Sequence, residues 1–390
     1  MLHKEELSLN FKTLQLISLF NFLPIKFCPN TGIVSFQTSR LRLGIWKTQF
    51  TLYTLNDIWK HWSLLRTRSD LNIFSINCIY CAVANAIWYE LLYIFYRRGP
   101  ENAYLITLIN ERRFQKSQYE GPKISLLQTT ISIFRRPIRE TVIITLPFAL
   151  YGFGLSWIGL CLLEPYLGFW IFSILPGNFQ HGLISTFMFI YEVWSVLLIC
   201  SSAYLCSYTV LNVIPRLTVD VLGFIAAEIS GLENQMIPLT ELSRICMELR
   251  MTQIEIKLLN YVYSGFNYVV KLTFLFVSIA GLFTGIKHFG DNPLFTLLSA
   301  ILAMYIITLF LFFFGDMYKI PEIMDCLKER LGIVSRTMKC PESVYTRKIV
   351  ASIPQCGIRA GNFYILDRMT SLVFLNYVLY QVAGLLIASK

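Results

Sequence analysis

The sequence predicts an all-α membrane protein with seven transmembrane helices, a cytoplasmic N-terminus and an extracellular C-terminus. Of its 390 residues, 55% are apolar and only 15% are charged, whereas about a quarter of a soluble protein is charged. The mean hydropathy is +0.54. Several segments reach the ~20 apolar residues that cross a bilayer, and the connections between them alternate between rich and poor in Lys and Arg.

Seven segments are assigned as membrane spans. The first is the weakest, because it holds Lys47, Asp57 and Lys60. We accept it because tryptophans and snorkelling lysines suit the ends of a span. The last is an apolar stretch at the C-terminal end of the chain. In order, the spans cover about 44–65, 72–96, 141–163, 183–206, 261–286, 294–315 and 369–388.

The orientation follows from the basic residues in the connections. The 97–136 and 316–360 connections each hold eight, whereas 164–182 holds none and 287–293 holds one. Basic loops are retained on the cytoplasmic side of a membrane. We therefore expect a multi-pass protein of the plasma membrane with a cytoplasmic N-terminal segment, 1–43.

A single seven-span transmembrane domain is expected over 44–390, with a cytoplasmic helical anchor formed by 207–260 and 316–368. Within 26–43, a turn signal lies between two short β-prone pieces, and 7–25 is expected at the membrane interface. In the anchor, apolar residues three and four apart predict a helix that continues the fifth span: Leu242, Ile245, Leu249, Ile256, Leu259 and Tyr263.

No enzyme motif occurs in the sequence: it has no phosphate-binding loop, no H-E-x-x-H, no G-x-S-x-G and no dinucleotide-binding glycine pattern. The four histidines are far apart, and the ten cysteines are scattered without a disulfide framework. Cys78 and Cys81 form a C-x-x-C, but it lies in a span without His or Cys partners, so packing is the interpretation. We therefore expect no enzyme activity, no metal and no cofactor. The net charge of +10 is assigned to membrane topology and not to nucleic-acid binding.

Charged residues inside spans are expensive and often functional. For Glu90 a structural pairing is favoured, and Lys271 lies in the fifth span. For Glu192 a ligand or cation role stays open beside a buried pair or a protonated acid. Aromatic residues crowd the outer halves of the third to sixth spans, so a ligand cavity open to the outer side is predicted, with ordinary helix packing as the alternative. Its candidate lining is Trp157, Phe187, Tyr191, Glu192 and Phe283.

The last span carries a polar-centred stripe. Tyr377, Gln381, Leu385 and Ala388 follow one another at steps of four, four and three, so they share one helical face. An amide in hydrocarbon costs several kcal/mol unless it is paired. The stripe therefore predicts either a helix–helix contact or the lining of a pore.

Span count, inverted orientation, long cytoplasmic helices and a final span at the chain end together resemble the insect gustatory and odorant receptor superfamily. The run IRAGNFYILDRMTSLVF, 358–374, is similar to the segment that leads gustatory receptors into their last helix. Gustatory receptors carry a Thr-Tyr and a Gln-Phe pair in that helix. Residues 381–389 occupy the corresponding positions here, and they contain neither pair. The chain thus looks like a divergent, receptor-like member.

The resemblance implies a ligand-gated cation channel that senses a small organic ligand. Four subunits, identical or related, would pack around one pore lined by their last helices. The ligand would occupy the outer half of each subunit, between the second and sixth spans. A membrane solute transporter and a non-conducting receptor-like scaffold are the alternative interpretations.

Overall fold

The computed structural model is almost entirely helical where it describes the chain. It forms two compact units, Met1–Val210 and Leu211–Lys390, each of which is described by itself. The described residues are 4–66, 71–117, 145–148, 150–152, 154–155, 158–159, 182–232, 239–290, 293–315, 317–337 and 342–389.

The first unit contains a small hairpin among long helices. Its two strands pair antiparallel, with Ile25 opposite Phe36, which confirms the β-prone pieces on either side of a turn. A π-helical segment, Leu91–Arg97, continues α3. The elements are α1 (Lys4–Leu19), β1 (Ile25–Phe27), β2 (Val34–Phe36), α2 (Arg40–Arg66), α3 (Leu71–Glu90), α4 (Gly99–Ser117) and α5 (Leu183–Pro215), the last of which passes into the second unit.

Buried polar contacts join α1, the hairpin and α4 to α5. The Tyr204 hydroxyl donates to Asn10 Oδ1 at 2.8 Å, and the Tyr208 hydroxyl donates to Asn110 Oδ1 at 2.9 Å. The amide nitrogen of Asn110 in turn donates to the carbonyl oxygen of Gly32 at 2.9 Å. Because these groups are buried, each depends on its partner, and the contacts fix how the elements meet.

Helix α2 is polar on its inner face and apolar on its outer face. Asn56, Asp57 and Lys60 are all buried, although they are its most polar central residues. A helix in water has the opposite arrangement, so α2 is suited to a lipid environment. The exposed residues of the outer stripe are Leu41, Ile45, Leu52, Leu55, Ile58, Trp59 and Trp62.

The second unit is built on one very long helix. After α5, a π-helical segment over Arg216–Val221 leads into α6. The elements are α6 (Leu222–Leu232), α7 (Leu239–Lys287), α8 (Pro293–Gly315), α9 (Lys319–Thr337), α10 (Glu342–Ser352), β3 (Arg359–Ala360), β4 (Tyr364–Ile365) and α11 (Arg368–Ala388).

Helix α7 has 49 residues and is therefore about 74 Å long, more than twice the ~30 Å of a bilayer core. The prediction of one helix continuing the fifth span is confirmed. Its predicted apolar stripe is buried throughout, from Leu242 to Tyr263. Near its start, Arg244 bonds the carboxylates of Glu228, Glu241 and Glu248, so α6 and α7 are joined by exposed charges.

A short hairpin before the last helix is bound to one face of α7. The Asn260 side chain donates to the carbonyl oxygen of Gly357 and accepts from the backbone N–H of Arg359, both at 2.8 Å. Two turns further on, Asn267 donates to the carbonyl oxygen of Arg359 at 3.1 Å. We call this contact between α7 and the chain from Gly357 to Ile365 the hairpin clamp.

Two further contacts complete the hairpin clamp. Lys271 donates to the hydroxyl of Tyr364 and lies 4.6 Å above the centre of that ring. The N–H of Gly361 donates to the carbonyl oxygen of Ser264 at 2.6 Å. Gly361 has a positive φ of 62°, and a Cβ there would lie 2.9 Å from the Phe363 ring, so glycine is required at this turn.

The hairpin clamp leads directly into α11. Asp367 caps this helix, since its carboxylate accepts from the Thr370 N–H at 3.0 Å and Thr370 Oγ1 accepts from the Asp367 N–H at 3.2 Å. The next residue, Arg368, forms an exposed ion pair with Glu322 of α9 at 2.8 Å. The starting point of α11 is therefore fixed on α7 and α9.

Three helices of the described residues are long and apolar enough to cross a membrane: Leu183–Ile214, Thr240–Lys287 and Arg368–Ala388. A shorter apolar stretch, Ser299–Leu311, lies in α8. Six of the seven predicted spans coincide with described helices. The third, 141–163, is described only in short helical pieces, so the count of seven and the orientation stay predictions.

We predict that Asn260→Ala lowers the free energy of unfolding by about 1–2 kcal/mol, because it removes two hydrogen bonds to the hairpin. The measurement is thermal unfolding of the purified protein in detergent micelles. Asn362→Ala is the matched control, since Asn362 is exposed at the turn of the same hairpin. Equal melting temperatures for the two variants would contradict the importance of the hairpin clamp.

Candidate functional site

Glu192 lies in α5 and faces α2. Its Oε2 is 3.4 Å from Nζ of Lys60, and the two side chains are only 4% and 3% exposed. Of the alternatives open for Glu192, the structure has the buried pair. The expectation that Lys60 snorkels to an interface is wrong, because its ammonium group turns inward to this carboxylate.

A second polar group on α2 extends this pair toward α3. His61 Nδ1 lies 2.7 Å from the carbonyl oxygen of Asp57, and Nε2 lies 2.8 Å from the side-chain nitrogen of Asn85. In the neutral ring, Nδ1–H donates to Asp57 and Nε2 accepts from Asn85. The Asp57 carboxylate is buried beside them, 3.8 Å from His61 Nδ1.

Sequence analysis missed Lys60 as the partner of Glu192. The sequence does indicate the polar face of α2, because Asn56 and Lys60 are four residues apart and lie about 100° around the helix from Leu55 and Trp59, but it does not indicate which residue pairs with Lys60. The side chain of Asn56 is buried, and among the residues that the structure describes neither its oxygen nor its nitrogen has a hydrogen-bond partner. The described interior of the first unit thus contains an ion pair and an amide without a hydrogen bond, which can hold a polar group.

The remaining candidates on this side differ in exposure. The Tyr191 hydroxyl donates to the carbonyl oxygen of Leu52 at 2.9 Å, and its ring centre lies 5.8 Å from that of Trp194. Phe187 is 77% exposed. Trp157 lies outside the described residues. Tyr191 and Glu192 therefore both contact α2, whereas the Phe187 ring is left uncovered by the residues described.

Phe283 belongs to the second unit. It is half-buried in α7, and Nζ of Lys287 lies 5.4 Å above the centre of its ring. That distance is within the range of a cation–π contact. Its assignment to a ligand site stays a prediction.

Glu90 is fully buried at the point where α3 changes to a π-helical segment. Its Oε1 accepts from the Ser202 hydroxyl at 2.6 Å, and Cys206 lies beside the same carboxyl group. The expected structural pairing therefore exists, but with a hydroxyl group. Since π-helical segments frequently occur at functional sites, this junction between α3 and α5 is a second region of interest.

Helix α11 packs on α7 and α8 with one face. The rings of Phe374 and Phe310 are stacked there, with their centres 3.8 Å apart. The buried residues of this face are Thr370, Phe374, Val378 and Val382.

The stripe predicted for α11 flanks its packed face. At 3.6 residues per turn, the centre of the stripe lies about 45° from the centre of the packed face. Tyr377, Leu385 and Ala388 are exposed, and Gln381 is half-buried. Gln381 makes no side-chain hydrogen bond with the residues that the structure describes. The stripe is thus available for contact with water or with another subunit.

Two solved structures resemble this protein over nearly the whole chain. One is the insect olfactory receptor OR5 from Machilis hrabei in complex with eugenol, with a TM-score of 0.63, 13% sequence identity and 97% of each chain covered. The other is a further structure of the same receptor, with a TM-score of 0.60, 12% identity and coverage of 98% of this chain and 99% of that one. The protein has the insect olfactory receptor fold.

The resemblance inferred from the sequence is therefore confirmed at the level of the insect olfactory receptor fold. No family model matches the chain, and no curated protein sequence matches it. At 13% identity the fold persists although few residues are shared.

We predict that Lys60→Met lowers the free energy of unfolding by about 3–5 kcal/mol, because the Glu192 carboxylate stays buried without its cation. Adding Glu192→Gln should restore most of the loss, because the carboxylate charge is then gone. Thermal unfolding in micelles measures both. Lys47→Met is the control, since Lys47 is exposed on the same helix. If Lys60→Met with Glu192→Gln were as unstable as Lys60→Met alone, the unpaired carboxylate would not be the cause of the lost stability.

Proposed function

We propose that the protein is a divergent member of the insect gustatory and odorant receptor superfamily and a subunit of a ligand-gated cation channel at the plasma membrane. The observation that carries this proposal is the olfactory receptor fold, which extends over 97% of both chains. One of those receptor structures contains eugenol, a small organic molecule. Our proposal assigns a small organic ligand to this protein too.

The proposed ligand site includes Tyr191 and Glu192, together with Trp157, Phe187 and Phe283. Its support is a carboxylate that the chain keeps inside a membrane-spanning segment, paired with Lys60 at 3.4 Å. Such groups are costly in a membrane and are usually functional. A ligand that competes for the charge of Lys60 or Glu192 would bind the resting and the active conformation with different affinities. Such a difference in affinity is what allows a ligand to open a channel.

The proposed pore is lined by α11 from four subunits, identical or related, with the stripe from Tyr377 to Ala388 facing the axis. Its support is the exposure of Tyr377, Leu385 and Ala388 and the lack of a side-chain hydrogen bond at Gln381 among the residues described. Gln381 would contact hydrated ions, and Leu385 would form an apolar ring that closes the path by dewetting. Gly384 beside them permits close approach of helices.

The proposed pore is tested with the purified protein in planar bilayers. Gln381→Glu should increase the preference for cations, because it adds a charge beside the ion path. Leu385→Ala should raise the basal current, because the apolar ring becomes wider. Asn376→Asp and Leu379→Ala are the matched controls. Both residues are exposed, about 135° and 165° from the centre of the stripe.

The outcomes separate the possible functions. Altered selectivity in Asn376→Asp but not in Gln381→Glu would mean that another face of α11 lines the pore. Saturable solute uptake without current would favour a transporter. If folded protein gave neither current nor uptake, the non-conducting scaffold would be the better interpretation.

We further predict that the C-terminus is extracellular and the 97–136 connection cytoplasmic. The reason is the alternation of eight, none, one and eight basic residues in the connections after the second, third, fifth and sixth spans. An epitope after Lys390 should be labelled on intact cells, and one within 97–136 only after permeabilisation. The reverse pattern would overturn the topology.

A further inference from the structure

A shallow groove of about 390 Å³ follows the first turns of α2. Its floor is Gly44, where an added Cβ would meet nothing within 4 Å. The walls are formed by Arg40, Leu41, Ile45, Thr48 and Gln49. The groove thus has a basic end followed by an apolar stretch, and it is complementary to an amphiphilic molecule.

The basic end carries charge that the described part of the chain does not neutralise. Arg40 and Arg42 are both exposed on the first turn of α2. Neither forms an ion pair with a carboxylate among the residues that the structure describes. An arginine presents a planar set of donors that matches a phosphate group.

The apolar length of the groove joins two exposed apolar surfaces. Above it, the outer stripe of α2 continues from Ile45 to Leu52. Below it, the side chain of Asn21 donates to the carbonyl oxygen of Arg42 at 2.9 Å, so the end of α1 lies beside the start of α2. There α1 exposes Leu19, and Phe20 follows it. Residues of this kind at the start of a span are expected at the level of the lipid headgroups.

We propose that this groove binds one anionic phospholipid. Its phosphate is bound by Arg40, and one acyl chain lies over Gly44 along Ile45. The inference rests on α2 crossing the membrane, as in the proposed function, and on nothing about ligands or conduction. Charge complementarity decides the occupant, because a zwitterionic lipid leaves the guanidinium group of Arg40 only partly neutralised.

The test is native mass spectrometry of the full chain in detergent, titrated with dioleoyl phosphatidylserine or dioleoyl phosphatidylcholine. Wild-type protein should bind one phosphatidylserine at least tenfold more tightly than phosphatidylcholine. Arg40→Gln should weaken phosphatidylserine binding about fivefold, whereas Arg42→Gln should leave it unchanged, because Arg42 does not line the groove. Lys47→Gln is the control, because Lys47 is exposed on α2 but its Nζ lies 5.7 Å from the ring centre of Tyr96, away from the groove.

A second variant separates loss of the groove from loss of the fold. Gly44→Leu fills the groove at a position with free space, and leucine is a better helix former than glycine. It should abolish tight phosphatidylserine binding without lowering the melting temperature. Equal affinity for the two lipids, unchanged binding in Gly44→Leu, or displacement by inorganic phosphate alone would each overturn the proposal. If the protein binds phosphatidylserine as expected but shows no channel activity, the lipid site is supported and only the proposed channel function fails.

Discussion

The structure of the second unit depends on the hydrogen bonds between α7 and the backbone of the hairpin that precedes α11. Asn260, Ser264, Asn267 and Lys271 follow one another at steps of four, three and four, so they form one polar row along α7. Each contacts a different part of the hairpin. In a helix whose other faces are largely apolar, this row determines where the chain turns back and where α11 begins.

Most partners in the hairpin clamp are backbone atoms. Asn260 bonds the carbonyl oxygen of Gly357 and the N–H of Arg359, and Asn267 bonds the carbonyl oxygen of Arg359. Backbone groups do not change when side chains do, so the hairpin side chains can vary while these contacts persist. Such contacts therefore constrain the hairpin backbone more than its side chains.

Much of the fold could be predicted from local patterns in the sequence. The stripe from Leu242 to Tyr263 is set by residues within a few turns of one another, and its helix and burial followed directly. The hairpin at 25–36 was equally local. The pair of Lys60 and Glu192 could not be predicted in this way, because the two residues are 132 positions apart and the residues near each one do not indicate its partner. Local sequence also did not predict which face of α11 is buried. Thr370 and Phe374 pack on helices whose position depends on the whole second unit.

The inward charges of α2 have a consequence for how the protein is made. Taken alone, α2 is a poor substrate for membrane insertion, because Asp57 and Lys60 each cost about 2.5–3.5 kcal/mol at the centre of a lone helix. The carboxylate that pairs with Lys60 is synthesised 132 residues later. At ribosomal speeds of about 5–20 residues per second, that delay is on the order of ten seconds. If α2 crosses the membrane as proposed, its buried lysine lacks the pairing carboxylate during this interval, and the helix reaches its final depth only after α5 has been made.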